Sequence, residues 1–425
     1  MRVLLVGAGG VGEAITKIAR ERDPRGEWLE QMVVADFDFD RARSVASRLG
    51  DNERFPAARV NARLAAEVAD LLKRHAVDLL MNACDPSFNE VLFDTALENG
   101  CNYMDMAMSM SQQDPRRPYT RCHIKLGDYQ FAKADEWQQR GCLALIGSGV
   151  EPGMADVFAR YAEKHLFDRI EEIGVRDGDN IRVEGYDIAF GFSIWTTIEE
   201  CLNPPVVWEK DRGWYTTEPF SGKETFCFPE GIGNVDVVNV EHEEVLLIPR
   251  YIDKGLKKVT FKYGLDDDFI QALKYLRALN MDRTDRTVKV GQGEITPRDF
   301  LARVAPSPLE IAEKMSGKVS AGTWVTGIKD GLARQVYLYQ VADHRECMER
   351  LGCQVVVAQT AFSPVVMMEL LAKGIWQGQG VCGPEAFDPD PFVARMADYG
   401  FPGGLMEMEA EYLKRLRREE LLASL

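Results

Sequence analysis

At 425 residues the chain is longer than one ordinary domain, and usual domain sizes predict two or three units, each with its own core. Its hydrophobic content of 46% and charged content of 28% are typical of a folded globular protein and exclude wholesale disorder. A formal net charge of −16 would repel a phosphate backbone, so nucleic acid is a poor candidate partner.

The N-terminal segment and the cysteines set the expected compartment. Residues 1–12 are apolar but lack a charged leader and a cleavage site, so they predict a strand rather than a signal peptide. No stretch approaches the length needed to span a bilayer, which excludes a membrane protein. The nine cysteines include no CxxC pair, so neither a disulfide scaffold nor a metal site is indicated. We therefore expect a cytoplasmic protein without a metal.

The first part of the chain alternates short apolar runs with helical periodicity. Strands are predicted at residues 2–6, 31–35, 77–82, 101–104 and 142–146, and helices at 11–19, 64–74 and 88–97. This alternation is typical of an α/β, doubly wound parallel sheet flanked by helices, the Rossmann type.

The pattern changes after about residue 171. Alternating segments at 186–192, 235–249, 257–263 and 334–341 predict antiparallel strands, and helices are predicted at 267–279, 355–373 and 391–399, followed by an amphipathic tail at 407–422. We divide the chain into a dinucleotide-binding domain at 1–152, an inserted α+β domain at 153–345 and a C-terminal helical segment at 346–425.

A glycine-rich turn follows the first predicted strand. Gly7, Gly9 and Gly12 form the GxGxxG pattern at the start of a helix, and we assign this turn, with Gly10 and Val11, to a dinucleotide diphosphate. The pattern alone is weak evidence, because glycines can also make a purely structural turn.

Asp36 closes the second predicted strand, where an acidic side chain accepts hydrogen bonds from ribose hydroxyls. Because an acid would repel a 2′-phosphate, we favour NAD as the cofactor. Arg41 and Arg43 leave NADP possible, and Asp36 can also be read as a solvated loop residue.

Ligands of open α/β sheets bind at the carboxyl ends of the strands. Candidate residues at these ends are Asn82, Ala83, Cys84, Tyr103, Asp105, Gly149 and Glu151. The alternatives are a simple turn at 82–86, an N-cap or ion pair for Asp105, and a helix-dipole role for Glu151. Cys84 is read as a small buried residue rather than a nucleophile.

Several segments resemble the saccharopine dehydrogenase family. They are VGAGGVG at 6–12, VADFD at 34–38, NYMD at 102–105, GSGVEPGMAD at 147–156, FSIWTTIEECLNPP at 192–205, VEHEEVLLIP at 240–249 and GPEAFDPDPF at 383–392. The resemblance implies a Rossmann domain, an inserted domain for substrate and homodimer contacts, and hydride exchange between a nicotinamide and an amine or imine carbon. Glu151 stands where saccharopine reductases have aspartate, which puts saccharopine itself in doubt.

The candidates for proton handling are Asp105, Glu151 and His242, the last among three glutamates that would raise its pKa. A structural place for His242 on a solvated strand face is the alternative. Substrate-binding candidates are Tyr103, Asp105, Glu151, Glu199 and Asn203, with Arg176 or Arg212 for a carboxylate. An amino acid or polyamine conjugate fits this mixture.

Two other functions compete with the oxidoreductase. A non-catalytic dinucleotide sensor would use the second domain to bind a partner, although sensing does not require so large an insertion. Metal-dependent hydrolysis lacks a spaced ligand set.

Overall fold

The computed structural model describes residues 1–291 and 293–409. Strands and helices alternate up to the fifth strand, after which two short strands and two helices precede the eighth strand. Their bounds are β1 Arg2–Val6, α1 Gly10–Arg22, β2 Gln31–Asp36, α2 Phe39–Arg48, β3 Ala57–Arg59, α3 Ala65–Arg74, β4 Leu79–Asn82, α4 Asn89–Glu98, β5 Asn102–Asp105, β6 Gln112–Gln113, β7 Cys122–Ile124, α5 Asp128–Phe131, α6 Ala134–Arg140 and β8 Leu143–Leu145.

The rest of the described chain is richer in strands. Its elements are α7 Met154–Tyr161, β9 Arg169–Asp179, β10 Arg182–Val183, α8 Ile194–Leu202, β11 Val206–Glu209, β12 Gly213–Thr216, β13 Glu224–Phe228, β14 Gly233–Asn239, α9 Glu244–Tyr251, β15 Lys258–Gly264, α10 Asp267–Ala278, β16 Val288–Val290, β17 Gly293–Ile295, α11 Pro297–Val304, α12 Pro308–Ile311, β18 Met315–Ser316, β19 Lys318–Lys329, β20 Leu332–Asp343, α13 His344–Leu351, α14 Val355–Ala372, β21 Gly380–Cys382, α15 Asp390–Met396 and β22 Gly403–Met408.

The first sheet has seven parallel strands in the order β21-β8-β5-β4-β1-β2-β3. The chain builds outward from β1 through β2 to β3 and then returns to the other side of β1 with β4. The strand order therefore reverses between β1 and β4, which is where a doubly wound sheet binds its ligand. The predicted Rossmann fold and its five predicted strands are confirmed.

The second sheet is mixed and follows the order β12-β11-β15-β9-β19-β20-β22, with β14 also paired to β15. Strands β9 and β15 are parallel, whereas β19 lies antiparallel between β9 and β20. Long β19 and β20 form its central hairpin. The inserted α+β architecture is therefore confirmed, and one hydrophobic core joins both sheets.

One predicted strand of this domain is wrong, and another is correct only in its first part. Residues 186–192 are irregular, because Phe190 packs edge-on against Phe269 of α10 instead of joining a sheet. The alternating segment at 235–249 is a strand only to Asn239, after which the chain turns and enters α9 at Glu244. His242 therefore lies in the connection between β14 and α9, not on a solvated strand face.

The C-terminal part contributes to both sheets, since β21 pairs with β8 and β22 pairs with β20. The predicted tail begins inside β22, and its residues 410–422 lie outside the described residues. The expectation about bilayer length was wrong for α14, an 18-residue helix long and apolar enough to cross a membrane by length and composition alone. It is 78% buried, as is typical of a core helix.

Candidate active site

The turn between β1 and α1 requires its glycines. A Cβ on Gly7, whose φ is +104°, would lie 2.6 Å from the carbonyl oxygen of Ala83, and a Cβ on Gly12 would lie 1.9 Å from the carbonyl oxygen of Gly7. Nothing lies within 4 Å of the Cβ direction of Gly9. The first hydrogen bond of α1 runs from the Glu13 amide to the Gly9 carbonyl, so earlier amides have no partner within the helix. Gly7 and Gly12 pack tightly against neighbouring backbone, whereas the backbone at Gly9 is open, and this combination fits a bound diphosphate.

The other residues assigned to this turn begin α1. A Cβ on Gly10 would lie 3.8 Å from Val357 of α14, which places the start of α14 beside the turn. Val11 is partly buried against the core. The C-terminal segment therefore covers one side of the dinucleotide turn.

Asp36 joins the end of β2 to the turn. Its Oδ2 accepts a hydrogen bond from the Ala8 amide at 2.8 Å, and its Oδ1 accepts one from the Asp38 amide at 2.8 Å. The guanidinium of Arg41 lies 3.9 Å from Oδ1. Asp36 is buried, so it is not a solvated loop group. Its carboxylate both shapes the turn and meets a cation at the expected ribose position.

The end of β4 forms the floor beside the turn. The side-chain oxygen of Asn82 accepts from the Cys84 amide at 2.9 Å, and its nitrogen donates to Asn89 at 2.7 Å and to the Tyr103 hydroxyl at 3.1 Å. Burial, with smaller effects of Asp36 and Asp85, raises the pKa of the Cys84 thiol to about 12. The raised pKa argues against Cys84 as a thiolate nucleophile. Tyr103 is fully buried in the first domain.

Asp105 ends β5 and holds the loop that follows β8. Its Oδ1 accepts from the Gly147 amide at 2.8 Å, its Oδ2 accepts from Gln130 Nε2 at 2.7 Å, and its carbonyl accepts from the Ser148 hydroxyl at 2.5 Å. Burial raises its pKa to about 7, although the bonds from Gly147, Gln130 and Tyr103 lower it. Among the described residues it is neither an N-cap nor an ion-pair partner.

The loop at 147–153 brings Glu151 to the second domain. A Cβ on Gly153 would lie 2.1 Å from the Gly149 carbonyl oxygen, so the loop closes tightly on itself. The N-terminus of α7 is capped by Asp156, whose Oδ2 accepts from the Gly153 amide at 2.7 Å. The side chain of Glu151 instead lies beside Asp177 of β9, and burial followed by the Asp177 charge raises its pKa. Its helix-dipole alternative is therefore not supported.

His242 is buried and packs flat on Phe261, with ring centroids 3.7 Å apart and planes 9° apart. Its Nδ1 lies 2.5 Å from Glu244 and 3.4 Å from Glu243. Burial lowers the pKa of the imidazole, but Glu244, Glu243 and Glu200 outweigh this and raise it to about 10. His242 is therefore an imidazolium at neutral pH, and its Nε2 has no hydrogen-bond partner in the part of the chain that the structure describes.

His242, Glu243 and Glu244 have the spacing of a metal site, because their possible ligand atoms lie within 4.8 Å of one another. An imidazolium whose Nδ1 already contacts both carboxylates would have to lose its proton before it ligated an ion. The cluster is therefore better described as an ion-paired group.

The segment at residues 241–244, between β14 and α9, joins the two domains. Glu243 accepts from the Met108 amide at 3.2 Å, and Glu241 accepts from the Ser111 hydroxyl at 2.9 Å. Both partners lie in the loop after β5. The connection between β14 and α9 is therefore fixed against the carboxyl edge of the first sheet.

Asn203 and Glu199 support this connection. Asn203 donates to Glu241 and to Glu199, each at 2.9 Å, and Glu199 pairs with Arg298. Both predicted substrate residues thus have protein partners that hold α8 in place. Glu200, next along α8, faces the charges of His242, Glu243 and Glu244, and burial raises its pKa to about 8.

The two arginines expected to bind a carboxylate lie elsewhere. Arg176 is buried and donates to Glu224 at 2.8 Å. Since neighbours on a strand point to opposite faces, it faces away from Asp177 and the Glu151 loop. Arg212 lies 3.4 Å over the ring of Tyr215 in the turn between β11 and β12.

Asp177 and Glu244 were missed as site residues. Asp177 alternates with buried residues of β9, which the sequence VRDGD suggests only once the burial of that strand is known. Glu244 stood in the sequence only as a neighbour of His242, and its contact with Nδ1 depends on the start of α9.

A cavity of about 1220 Å³ has Asp179, Thr197, Tyr263 and Val355 among its lining residues. The charges of Asp177 and Glu200 contribute to a raised pKa of the Tyr263 hydroxyl, after the larger effect of burial. Tyr263 therefore connects the cavity to the carboxyl groups around His242.

Comparisons with known proteins cover nearly the whole chain. A family model described as "Saccharopine dehydrogenase NADP binding domain" matches residues 3–145, and one described as "Saccharopine dehydrogenase C-terminal domain" matches residues 149–401. Carboxyaminopropylagmatine dehydrogenase from Synechocystis sp. is 31% identical over 402 residues, 94% of this chain and 96% of that protein. Carboxynorspermidine synthase from Vibrio cholerae is 26% identical over 417 residues, 96% of this chain and 98% of that protein.

The solved saccharopine dehydrogenase (L-Glu forming) from Saccharomyces cerevisiae aligns with a TM-score of 0.68 at 14% identity, covering 96% of this chain and 100% of that one. At this identity the likeness shows the shared fold.

Proposed function

Because this chain belongs to the saccharopine dehydrogenase family, we propose that it is an NAD(P)-dependent oxidoreductase acting on the C–N bond of an amino acid or polyamine conjugate. The observation that carries this proposal is the meeting of a dinucleotide turn with buried carboxyl groups and an imidazolium at one sheet edge. The matching relatives are named for dehydrogenation or synthesis of carboxylated polyamines.

The bound nicotinamide would supply or accept the hydride, and the protein would orient the carbon and manage one proton. His242 is our first candidate for the group that transfers this proton. Its ring is charged, its Nδ1 contacts Glu244, and its Nε2 has no partner among the described residues. Asp105 would act through the loop that it fixes, and Glu151 would contact an ammonium group. Tyr103 and Asn203 would position these residues.

Turnover is the direct test. The purified chain should reduce NAD⁺ or NADP⁺ with one of carboxynorspermidine, carboxyaminopropylagmatine, saccharopine or lysine, followed by absorbance at 340 nm. Absence of turnover with all four, combined with a cofactor-dependent change of molecular mass, would favour the dinucleotide sensor instead.

We propose NAD as the preferred cofactor, with NADP also bound. Repulsion between Asp36 and a 2′-phosphate supports the preference, and Arg41 beside that carboxylate accounts for tolerance of NADP. Fluorescence titration with NADH and NADPH tests this. NADPH binding at least tenfold tighter than NADH would overturn the preference.

We also propose a cytoplasmic homodimer. All nine cysteines are free thiols, which suits a reducing compartment. The second sheet carries partly buried Trp324, Tyr339 and Met406 around a small aromatic core, and a second copy would cover them. Light scattering should give about twice the chain mass of 47.8 kDa, whereas a single-chain mass at all concentrations would contradict the dimer.

A further inference from the structure

The guanidinium of Arg277 in α10 has hydrogen-bond donors that no protein group satisfies. Its Nε and Nη2 atoms are both buried, and neither has a partner in the part of the chain that the structure describes. Burial lowers the pKa of Arg277, but a guanidinium stays charged at neutral pH. Buried charged donors without acceptors cost free energy, so this group suits a ligand that brings acceptor oxygens and a negative charge.

The two unpartnered atoms also indicate the shape of that ligand. Nε and Nη2 lie on one edge of the planar guanidinium, so their N–H bonds point the same way. A carboxylate presents two oxygens in one plane and accepts from both donors of such an edge. The ring of Tyr119, in the loop between β6 and β7, covers one face of the guanidinium, with its centroid 4.4 Å from Cζ, and holds the plane in place.

The charges around Arg277 favour an anion, although the whole chain has a net charge of −16. The loop between β6 and β7 carries the exposed Arg116, Arg117 and Arg121 and a single acidic residue. The acid whose charge acts on Arg277 is Asp282. Burial raises the pKa of Asp282, which reduces the negative charge that an incoming carboxylate would meet. A local excess of positive charge attracts anions to this part of the surface.

The loop that carries Tyr119 is tied to the candidate active site at both ends. At its start, Gln113 donates to Asn203 at 2.7 Å. At its end, the Cys122 thiol donates to Glu241 at 3.5 Å. Tyr119 and the guanidinium that it covers therefore lie beside the connection that joins the two domains.

A second link reaches Arg277 from α8. Arg298 pairs with Glu199 of α8, and its Nε donates to the carbonyl of Asp282 at 2.7 Å. Asp282 lies close enough to Arg277 for its charge to raise the pKa of the guanidinium. Hydrogen bonds on two sides thus connect the Arg277 site to residues next to His242.

We propose that Arg277, backed by Tyr119, binds the carboxylate of the substrate through the Nε and Nη2 edge of its guanidinium. This inference rests on the proposed function and assigns the role for which the sequence suggested Arg176 or Arg212. Binding forms two hydrogen bonds and moves no proton. Arg277 then determines specificity, because a polyamine without a carboxylate leaves its two donors unsatisfied.

Isothermal titration calorimetry of the full chain with NADH tests the site, using L-2,4-diaminobutyrate against 1,3-diaminopropane. The two ligands share the same diamine and differ by one carboxylate. We expect the amino acid to bind at least tenfold more tightly. Equal affinities, or no binding of either ligand, would overturn the proposal. Acetate that bound as tightly as L-2,4-diaminobutyrate would indicate an anion site independent of the substrate, and the assignment would be wrong.

Variants locate the effect. Arg277→Gln should weaken L-2,4-diaminobutyrate binding at least tenfold and leave 1,3-diaminopropane binding unchanged. Arg277→Lys should weaken the former at least threefold, because it keeps the charge but loses the two-donor edge. Arg283→Gln, which changes a nearby arginine paired with Asp285, should alter neither affinity.

Equal weakening of both ligands in Arg277→Gln would show a structural role and contradict the assignment. A thermal melt checks that the variants fold. If Arg277→Gln does not fold, Arg277→Lys decides the question, and unchanged selectivity in that variant would contradict the assignment as well.

The binding assay needs no turnover, so the two proposals fail separately. Carboxylate selectivity that is lost in Arg277→Gln, without oxidation of any conjugate by the unchanged protein, would refute the oxidoreductase and leave the site standing. Oxidation of a carboxylated conjugate with the same KM in Arg277→Gln and in the unchanged protein would refute the site alone.

Discussion

At the scale of single residues, the three candidates for proton handling differ in what their side chains already contact. Both carboxylate oxygens of Asp105 accept hydrogen bonds from the protein, whereas Glu151 Oε2 has no partner and the hydrogen bond of His242 is made by Nδ1. A group that is fully bonded within the protein orients its neighbours. Asp105 is therefore a positioning residue, whereas Glu151 and His242 can face the substrate.

Substitution of Asp105 tests the positioning. Asp105→Ala should lower kcat/KM at least tenfold and leave NADH affinity nearly unchanged, because Gly147 and the Glu151 loop lose their anchor while the dinucleotide turn is untouched. Steady-state kinetics and NADH titration give the two values. Retained activity would remove Asp105 from the site.

The pH profile tests His242. Its pKa is raised, so the imidazolium is present below about pH 10 and is lost as pH rises through that value. We expect kcat/KM to fall on the alkaline side with an apparent pKa near 10. His242→Asn should show lower activity throughout and no such alkaline limb. An identical limb in the variant would assign the titration to another group.

At the scale of elements, the best-predicted features were those set by local pattern. The strand, turn and helix at β1 and α1 were predicted because apolar runs and glycines act over a few residues. The chain at 240–249 was not, since its alternating VEHEEV letters imitate a strand. Buried contacts of Glu243 and Glu244 with the other domain decide that structure, and no local pattern contains them.

The three-residue strands β3 and β21 were also missed, because they are too short to show a period. Part of the candidate site could be predicted from sequence. The carboxyl ends of strands could be read directly, but the pairing of Glu151 with Asp177 depends on how the domains meet.

The helix–turn contact at Gly12 gives a prediction for the first element pair. Gly12→Ala should weaken NADH binding at least tenfold, because the added methyl would lie 1.9 Å from the Gly7 carbonyl oxygen and force the turn open. Gly50→Ala is the control for a glycine with open space, although its positive φ adds some strain. Fluorescence titration and a thermal melt separate cofactor loss from unfolding. Wild-type NADH affinity in Gly12→Ala would show that the turn does not hold the cofactor.

At the scale of the whole molecule, several carboxyl groups are buried where the two sheets are joined. Glu385 follows β21 and is 0% exposed, and neither of its side-chain oxygens has a hydrogen-bond partner. Its charge contributes to the raised pKa of Asp156 in α7. The junction thus includes two acids that repel when both ionise.

This junction predicts how stability depends on pH. Burial raises the pKa of Glu385 from 4.5 to about 8, against the lowering effects of Arg250 and Arg160. The folded protein therefore keeps a proton that the unfolded chain releases above pH 4.5, so stability falls as pH rises from 4.5 towards 8 and then levels off. Glu385→Gln cannot ionise and should gain roughly 1–3 kcal/mol over the unchanged protein between pH 5 and pH 8.5. Urea unfolding at the two pH values measures this, and Glu21→Gln, an exposed glutamate of α1, should show no such gain. An equal pH dependence in Glu385→Gln and the unchanged protein would mean that Glu385 ionises as freely in the fold as outside it.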